Sequence, residues 1–250
     1  MDALLPWGVA IALNSFLLAI AWVAPKALLT PQGLLHAWVL GIVIWGTLGW
    51  RGYVVMLTYF ALGTAVTRIG KARKEALGIA EKRSGVRGPE NVWGSALAGT
   101  LCALGAYLFA GRIENLPLVA ALVLAYVASL STKLADTCGS EVGKAYGKRT
   151  FLITTFQPVP AGTEGAISLE GTLAGLVGGL AIALVGYGLG LISSVGIGIC
   201  LVAAFIATNL ESVIGATYQS KYRWLTNEMV NIINTAIGAA IALLIGLVWR

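Results

Sequence analysis

Apolar residues fill most of this chain in long blocks that are separated by short polar connections. Since an α-helix needs about 20 apolar residues to cross the hydrocarbon core of a bilayer, each block predicts a membrane span. The blocks lack the alternation of apolar and polar positions that is typical of strands in a membrane barrel. Eight segments fit the description: Leu4–Val23, Gly33–Gly49, Tyr53–Thr67, Val92–Ala110, Leu116–Lys133, Leu169–Gly188, Leu189–Leu210 and Met229–Trp249.

The second and third segments are short, and only residues 50–52 separate them. If these two form a re-entrant pair, the count falls to seven. The predicted fold class is therefore all-α: a polytopic transmembrane helix bundle of about eight spans. Because the spans follow one another without a long break, we expect a single transmembrane domain over residues 1–250.

The composition supports a membrane protein. Of the 250 residues, 58% are hydrophobic and only 11% are charged, whereas soluble domains carry about 25% charged residues. Three separated cysteines and a single histidine, His36, make a disulfide framework or a catalytic system with several imidazoles improbable.

The 17 Lys and Arg residues are distributed unevenly over the predicted connections. Fourteen fall on one side, whereas Arg51, Arg112 and Arg250 fall on the other. Loops rich in Lys and Arg stay in the cytoplasm, so this basic side is expected to face the cytoplasm or stroma, with both termini on the non-cytoplasmic side. Topology alone, with some affinity for anionic lipid, could also explain a basic face. No nucleic-acid partner is expected.

Polar residues concentrate at the ends of spans on this basic side, in segments 68–91, 131–172 and 208–231. The segment Ser131 to Thr172 alone holds Asp136, Glu141, Glu164 and Glu170. Polar side chains are costly in a membrane, so a cluster that runs directly into apolar segments predicts a functional site.

The end of the fifth span reads as a helix that carries acidic residues. Asp136 and Ser140 share one face, whereas Glu141 lies about 140° further round the axis, so both carboxylates could reach one ion only if the helix bends. Two carboxylates beside a phosphate site would suit Mg²⁺. An amphipathic surface helix is the alternative. The ridge of Gly139, Gly143 and Gly147 would admit either a second helix or a phosphate chain.

Three helices are expected to begin on this side, near Asn91, Ser168 and Asn227. Helix N-termini offer free N–H groups to anions, and the Thr- and Gly-rich turn of residues 154–165 adds further donors. With Lys71, Lys74 and Arg87 in the adjoining loop, these features predict an anion site. Neither a P-loop nor a G-x-G-x-x-G turn is present.

Amide side chains recur along the last span at Asn227, Asn231 and Asn234. Amide groups that face lipid would stay unpaired, so this stripe is expected to face protein or a cavity. Contact between helices and contact with a ligand are equally compatible with it. Glu211, at the end of the seventh span, needs a cation or metal if it is ionised.

Several motifs resemble those of one known group, the integral membrane family that contains phytyl-phosphate kinase of the tocopherol pathway. The most specific are L-A-D-T-x-x-S-E-V-G (134–143), K-R-x-F-L-I-T-T-F-x-P-V-P-x-G-T-x-G (148–165) and S-L-x-G-T (168–172). R-x-G-x-x-x-K-x-x-x-G (68–78), R-G-P-E-N-V (87–92), E-S-V-I-G-A-T-Y-Q (211–219) and N-E-M-V-N (227–231) match as well. A fainter similarity extends to the dolichol and diacylglycerol kinases that use CTP.

The resemblance implies an enzyme that transfers the terminal phosphate of a nucleoside triphosphate, CTP being favoured, to phytyl or isoprenyl monophosphate, giving phytyl diphosphate. It implies Mg²⁺ as cofactor, with Asp136 and Glu141 as the acidic pair and Glu211 as a third metal ligand. Glu211 stands where the family usually has Asp. The location implied is a bacterial inner or thylakoid membrane of cyanobacterial type, or a chloroplast membrane, with the site on the cytoplasmic or stromal face.

The substrate contacts fall into two sets. The resemblance carries over Lys74, Arg87, Asn91, Thr155, Gly162, Thr163, Asn227 and Asn231. The polar clusters described above add Lys71, Lys133, Ser140, Ser168 and Glu170. Two other functions would use similar residues: a CTP-dependent cytidylyltransferase that makes a CDP-lipid and releases pyrophosphate, and a secondary transporter. Transporters keep polar residues near the midplane and show internal repeats, and neither feature is evident in this sequence.

Overall fold

A computed structural model describes residues 5–248 as a bundle of long helices, which confirms the predicted all-α transmembrane class. The helices are α1 (Leu5–Val23), α2 (Pro31–Thr67), α3 (Lys71–Ala76), α4 (Pro89–Phe109), α5 (Leu116–Tyr146), α6 (Leu169–Gly188), α7 (Ser194–Ile214) and α8 (Asn227–Val248). Within the described residues, seven helices are long and apolar enough to cross a membrane. Leu4 and Trp249, the predicted ends of the first and last spans, lie outside the described residues.

Helix α2 is a hairpin of two antiparallel arms, 31–48 and 50–67. Gly49 interrupts it with φ 65° and ψ −165°, a left-handed conformation that favours glycine. In one straight helix Gly33 and Gly63 would be about 45 Å apart. Instead, a methyl group on Gly33 would meet the carbonyl oxygen of Arg87 at 2.6 Å, and one on Gly63 would meet the Arg87 guanidinium at 3.1 Å. The second and third predicted segments are therefore separate arms, each about 27 Å long.

Helix α5 lies at the centre of the bundle and contacts α2, α4, α6, α7 and α8. It continues for 31 residues to Tyr146 rather than ending near Lys133, so its last turns carry the acidic residues inside the protein. The helix has no break between Asp136 and Glu141. The bend that both carboxylates would need in order to reach one ion is therefore not present in α5.

Helix α6 packs closely against α5 through small residues. A methyl group on Gly171 would lie 2.7 Å from the carbonyl oxygen of Gly139, and one on Gly175 would lie 3.0 Å from that of Ala135. The face of α5 that carries Gly139 and Gly143 is thus occupied by a helix. Of the two interpretations that the sequence allowed for this ridge, close helix packing is correct.

The polar connections lie at one end of the bundle, which we call the polar end; α5 and α7 finish there, and α4, α6 and α8 begin there. Helix α3 does not continue α2, because Gly70 (φ 61°) turns the chain and packs against Ala145. Strands β1 (Phe151–Leu152) and β2 (Ala166–Ile167) pair antiparallel and close the Thr- and Gly-rich turn. A π-helical turn, Gly215–Gln219, follows α7.

Candidate active site

A cavity of about 750 Å³ opens at the polar end. Its walls come from α4, α5, α6, α7 and α8, and from the loops before α4 and α6. Ligand sites commonly measure about 300–1,000 Å³, so the cavity is large enough for a nucleotide. Most of the residues predicted from sequence line it: Arg87, Asn91, Lys133, Asp136, Ser140, Glu141, Gly162, Thr163, Ser168, Glu211, Asn227 and Asn231.

The ammonium of Lys133 joins α5 to α8 in the wall of this cavity. It donates to Asp136 Oδ2 at 2.5 Å and to Asn231 Oδ1 at 2.7 Å. Both charged side chains are 9% exposed. Lys133 and Asp136 sit one turn apart on α5, so the helix itself sets their spacing. Asn231, which was predicted to face protein or a cavity, thus accepts a hydrogen bond from the Lys133 ammonium.

Two further carboxylates approach this pair. Glu211 of α7 faces Lys133 and Asp136 of α5 and Glu164 of the turn before α6. Three separate segments of the chain therefore meet at this point. Among the side chains that the structure describes, Glu211 has no ion-pair partner within 4 Å. Several carboxyl groups thus lie around the single ammonium of Lys133, and this corner of the cavity holds more carboxyl groups than cations.

Glu141 has a different environment and does not join that corner. It pairs with Lys74 of α3, and the Lys74 ammonium also donates to the backbone oxygen of Thr67 at 2.9 Å. The Lys74 and Glu141 side chains are 1% and 3% exposed. The ammonium of Lys74, a predicted substrate contact, is thus held by a buried carboxylate in this structure, and its contact with phosphate stays a prediction.

Three other predicted contacts lie outside the cavity. Lys71 pairs with Glu75 on the exposed face of α3, with its side chain 43% exposed. Thr155 lies at the tip of the turn, where its hydroxyl accepts from the backbone N–H of Gln157. Glu170 follows the cap of α6 but points away from the cavity that Ser168 and Gly171 line. The structure does not bring Lys71, Thr155 or Glu170 to the site.

Arg87 brings a cation into the cavity from the loop before α4. Its guanidinium lies 5.9 Å from the ring centre of Tyr59 and 5.2 Å from that of Phe60, both on the second arm of α2. A cation over aromatic faces is held without a counter-charge. Its N–H groups therefore remain available to an anion.

The starts of α4, α6 and α8 all face the cavity, as predicted. Asn91 Oδ1 accepts from the backbone N–H of Gly88, Ser168 Oγ accepts from that of Gly171, and Thr226 Oγ1 accepts from that of Met229. The bonds to Ser168 and Thr226 are N-cap bonds, whereas Asn91 is the third residue of α4 and bonds back to the N-cap residue Gly88 as part of a capping box. All three bonds leave further N–H groups of each first turn free to bind an anion.

The turn between β1 and β2 forms one side of the cavity. Gly162 and Gly165 have φ of 86° and 75°. A methyl group on Gly162 would meet the side chain of Ile79 at 2.7 Å, and one on Gly165 would meet the carbonyl oxygen of Ser212 at 2.5 Å. Both glycines are thus required by backbone conformation and by packing, and they fix Thr163 and Glu164 at the cavity.

The amide stripe of α8 divides between two environments. Asn227 and Asn231 line the cavity, whereas Asn234 is fully buried below it. Gly238, one turn further along α8, packs directly on Thr132 of α5. The stripe thus faces the cavity and the protein interior, as predicted, although neither polar atom of the Asn234 amide has a hydrogen-bond partner among the described residues. Contact of Asn227 or Asn231 with a ligand stays a prediction.

Comparison with known proteins identifies the family. Residues 14–239 match the integral membrane proteins of the DUF92 family. The chain belongs to this family. DUF92 membership confirms the group of membrane proteins that the motifs indicated.

The chain is 68% identical over 238 residues to an uncharacterized membrane protein, sll0875, of Synechocystis, which covers 95% of this chain and 90% of the relative. It is 42% identical over 240 residues to the chloroplastic protein VTE6 of Arabidopsis thaliana, covering 95% and 71%. A DUF92 relative in Methanocaldococcus jannaschii, the uncharacterized membrane protein MJ0933, is 34% identical over 215 residues, covering 86% and 84%. No solved structure matches the chain significantly.

The acidic corner of this DUF92 protein fits a hard divalent cation that is completed by substrate. Across residues 5–248, no three His, Cys, Asp or Glu side chains meet as a protein-only metal cage. Asp136 and Glu211 do face each other, in a corner that holds more carboxyl groups than cations. Mg²⁺ takes one or two carboxylates together with water and phosphate oxygens, so these residues suit it, whereas Glu141 is held by Lys74.

The cavity also contains residues that sequence reasoning missed, among them the charged residues Arg83, Lys144 and Glu164 and the uncharged residues Tyr59 and Ser95. Glu164 carried a signal, because it stands between Thr163 and Gly165 in a recognised motif. Tyr59 and Ser95 lie inside apolar spans. Nothing in the local pattern distinguishes them from residues that pack between helices.

Proposed function

We propose that this protein is a membrane-embedded lipid kinase. It transfers the terminal phosphate of a nucleoside triphosphate, with CTP favoured, to phytyl or isoprenyl monophosphate. The observation that carries the proposal is the meeting of carboxylates, cations and helix N-termini from separate helices in one cavity at the polar end. Phosphoryl transfer needs this combination, because its catalysis consists of positioning and charge neutralisation.

The reaction needs no strong general base. The acceptor is already a phosphate, whose second ionisation occurs near pH 6, so an ionised oxygen is available near neutral pH. That oxygen bonds to the terminal phosphorus of the triphosphate as the bond from this phosphorus to the bridging oxygen breaks. A diphosphate lipid forms, and the nucleoside diphosphate leaves with the bridging oxygen.

The protein's own residues orient the two phosphates. The N–H groups at the starts of α4 and α6 and the guanidinium of Arg87 bind anionic oxygens. Lys133 holds its ammonium in the cavity wall, where it stabilises the charge on the transferred group. Asp136 and Asn231 fix that ammonium from two sides, so little reorganisation is needed during the reaction.

Asp136 and Glu211 are the residues that would hold Mg²⁺, which when bound neutralises charge on the triphosphate oxygens. The glutamate side chain is one methylene longer than the aspartate that the family usually has at position 211. Its carboxyl group still lies close enough to Asp136 to form a hydrogen bond with it.

The basic polar end is assigned to the cytoplasmic or stromal face by its lysines and arginines. Similarity to a chloroplastic protein and to a protein of Synechocystis supports a photosynthetic membrane. Phytyl diphosphate made there would serve tocopherol synthesis, as the motif resemblance implies.

The reaction products test the proposal. Purified protein in lipid nanodiscs is incubated with phytyl monophosphate, CTP and Mg²⁺, and the soluble and lipid products are identified by mass spectrometry. A kinase gives CDP and phytyl diphosphate. Pyrophosphate and a CDP-lipid would establish a cytidylyltransferase instead. Movement of phytyl phosphate into sealed proteoliposomes without either product would indicate a transporter.

A further inference from the structure

Helix α6 gives the cavity a wall whose polarity falls with depth. Gly171, Thr172, Gly175, Leu176 and Gly179 line it at the spacing of one helix face. Near the cap of α6 the wall offers a hydroxyl and backbone N–H groups. At Leu176 and Gly179, roughly 12–16 Å further along the helix axis, it offers only hydrocarbon and backbone.

Helix α7 repeats this gradient from its opposite end. The residues that line the cavity run from Glu211 through Thr208 to Phe205, Ala204 and Leu201. From Glu211 to Leu201 the axis covers about 15 Å. Because α6 and α7 are antiparallel neighbours that contact each other, the two apolar stretches lie side by side at the same depth in the membrane.

The apolar stretches enclose an extension of the cavity that is open towards the lipid. A methyl group on Gly179 would lie 3.5 Å from Cβ of Ala135 and 3.7 Å from Cβ of Ala204, so these three small residues lie together at the floor of the extension. Leu176 and Phe205 are 38% and 46% exposed. We call this extension, bounded by Leu176, Gly179, Leu201, Ala204 and Phe205, the apolar limb.

We propose that the apolar limb binds the first part of the hydrocarbon tail of the lipid phosphate acceptor. This inference rests on the proposed function. The limb is continuous with the acidic corner, so a lipid whose phosphate lies beside Asp136 can extend its tail down the limb without crossing polar surface. The other wall of the cavity carries the polar side chains of Asn91, Lys133 and Asn231, and a tail placed there would shield these polar groups from water.

The dimensions of the limb predict what the enzyme selects. About 15 Å separate the acidic corner from Leu201, and beyond that point the tail lies in the bilayer. The enzyme is therefore expected to distinguish acceptors by the isoprenyl units near the phosphate, because these units leave the lipid and contact the walls of the limb. Units farther from the phosphate remain in lipid whether or not substrate is bound, so total chain length beyond the limb matters little.

Tryptophan substitutions test the limb against matched controls on the same helices. Leu176→Trp and Leu201→Trp fill the limb, whereas Val177→Trp and Val202→Trp place the same side chain on neighbouring positions that are 68% and 49% exposed and do not line the cavity. For each variant, KM is measured in nanodiscs for a C20 and for a C5 isoprenyl monophosphate, with thermal unfolding as the check of folding.

The expected result is a rise of about tenfold or more in KM for the C20 acceptor in Leu176→Trp and Leu201→Trp, as burial of several methylenes is lost. The KM for CTP and for the C5 acceptor stays within about twofold. The two valine variants should behave as the unaltered protein does. Equal C20 kinetics in limb and control variants that are all folded and active would overturn the proposal.

A labelling experiment reads the same limb without turnover. A C20 isoprenyl phosphonate that carries a diazirine on its second isoprene unit is photolysed with the unaltered protein, and the modified peptides are sequenced. Labelling of 172–180 and 200–208 supports the limb, and labelling confined to other helices contradicts it. If the protein transferred no phosphate, the proposed function would fail, but this readout would still decide where the tail lies.

Discussion

Helix α5 takes part in two buried pairs of a lysine and a carboxylate, and the two pairs differ in what surrounds them. Glu141 pairs with Lys74, and almost no surface of either side chain is exposed. Asp136 pairs with Lys133, and both side chains line the cavity beside Asn231. The two carboxylates lie five positions apart on one helix, yet they face different parts of the protein.

From this difference we infer a structural role for the Lys74–Glu141 pair and a role in the reaction for the Lys133–Asp136 pair. The Lys74 ammonium is shared between Glu141 and the backbone oxygen of Thr67, so this pair fastens α3 to the ends of α2 and α5. The ammonium of Lys133 and the carboxylate of Asp136 remain within reach of a ligand. Glu141 also lies in the cavity wall, but its carboxylate is 3% exposed and is paired with Lys74. We therefore expect two pairs of the same chemical type to have different roles, because only the Lys133–Asp136 pair faces further carboxyl groups of the cavity.

The largest expected effect is on the stability conferred by the enclosed pair. Glu141→Gln leaves the Lys74 ammonium buried without a counter-charge, and such a change costs about 3–5 kcal/mol of unfolding free energy. We expect a large fall in the thermal unfolding temperature in detergent. The double variant Lys74→Met with Glu141→Leu should unfold near the temperature of the unaltered protein, since apolar replacement of a buried ion pair is often neutral. Glu141→Gln with unchanged unfolding would refute the structural role.

Next in size is the effect on catalysis of the pair that borders the cavity. Asp136→Asn keeps the shape of the side chain but removes the charge that positions Lys133 and faces Glu211. Loss of one preorganised charge at a transfer site lowers kcat by about 100- to 1,000-fold. Phosphate transfer from labelled CTP measures it, and unfolding temperature serves as the control because Asn231 and Glu211 still face Lys133. A variant with full turnover would remove Asp136 from the site.

The local features of the site could be predicted from sequence, whereas the pairing could not. Ser168 caps α6, and Asn91 bonds back to Gly88, the N-cap of α4, because such bonds join residues only three positions apart. The Lys74–Glu141 pair joins positions 67 residues apart. Only the packing of α3 against α5 creates it, so the sequence offered Lys74 and Glu141 as independent candidates for two different roles.

The same difference between local and long-range contacts explains which features of the fold could be predicted from sequence. Hydropathy determines where helices form, since every apolar block is a helix or a helix arm. The break near Gly49 could be recognised because residues 49–52 interrupt the apolar sequence, although a re-entrant pair remained an alternative. The helical end of α5 could be predicted as well. Whether it bends at its glycines could not, because α6 packs over Gly139 and Gly143.

A smaller effect is expected from the third member of the acidic corner. Glu211→Gln should raise the Mg²⁺ concentration that supports half-maximal transfer by about 10- to 100-fold, the range typical of weakened metal sites. Glu211→Asp, which installs the residue usual in the family, should stay within a few-fold of the unaltered protein. A Mg²⁺ titration of the transfer rate measures both. If Gln and Asp gave the same titration as Glu, position 211 would not face the metal.

The smallest effects are expected for predicted residues that the structure places outside the cavity. Lys71→Ala and Thr155→Ala should change kcat/KM for CTP by less than about twofold, because exposed polar side chains and exposed ion pairs contribute little. Steady-state kinetics in nanodiscs measures this, with Asp136→Asn as the reference for a residue of the site. A loss of more than tenfold in either variant would mean that the loop or turn closes onto substrate.

One comparison tests the central claim most directly: the rate of phosphate transfer from CTP to phytyl monophosphate, per folded molecule, in Asp136→Asn and in the double variant Lys74→Met with Glu141→Leu. The account predicts that the double variant transfers phosphate within about tenfold of the unaltered protein, whereas Asp136→Asn is folded and loses at least about 100-fold. An active Asp136→Asn beside a folded but inactive double variant would contradict it, because the chemistry would then lie with Glu141 and Lys74.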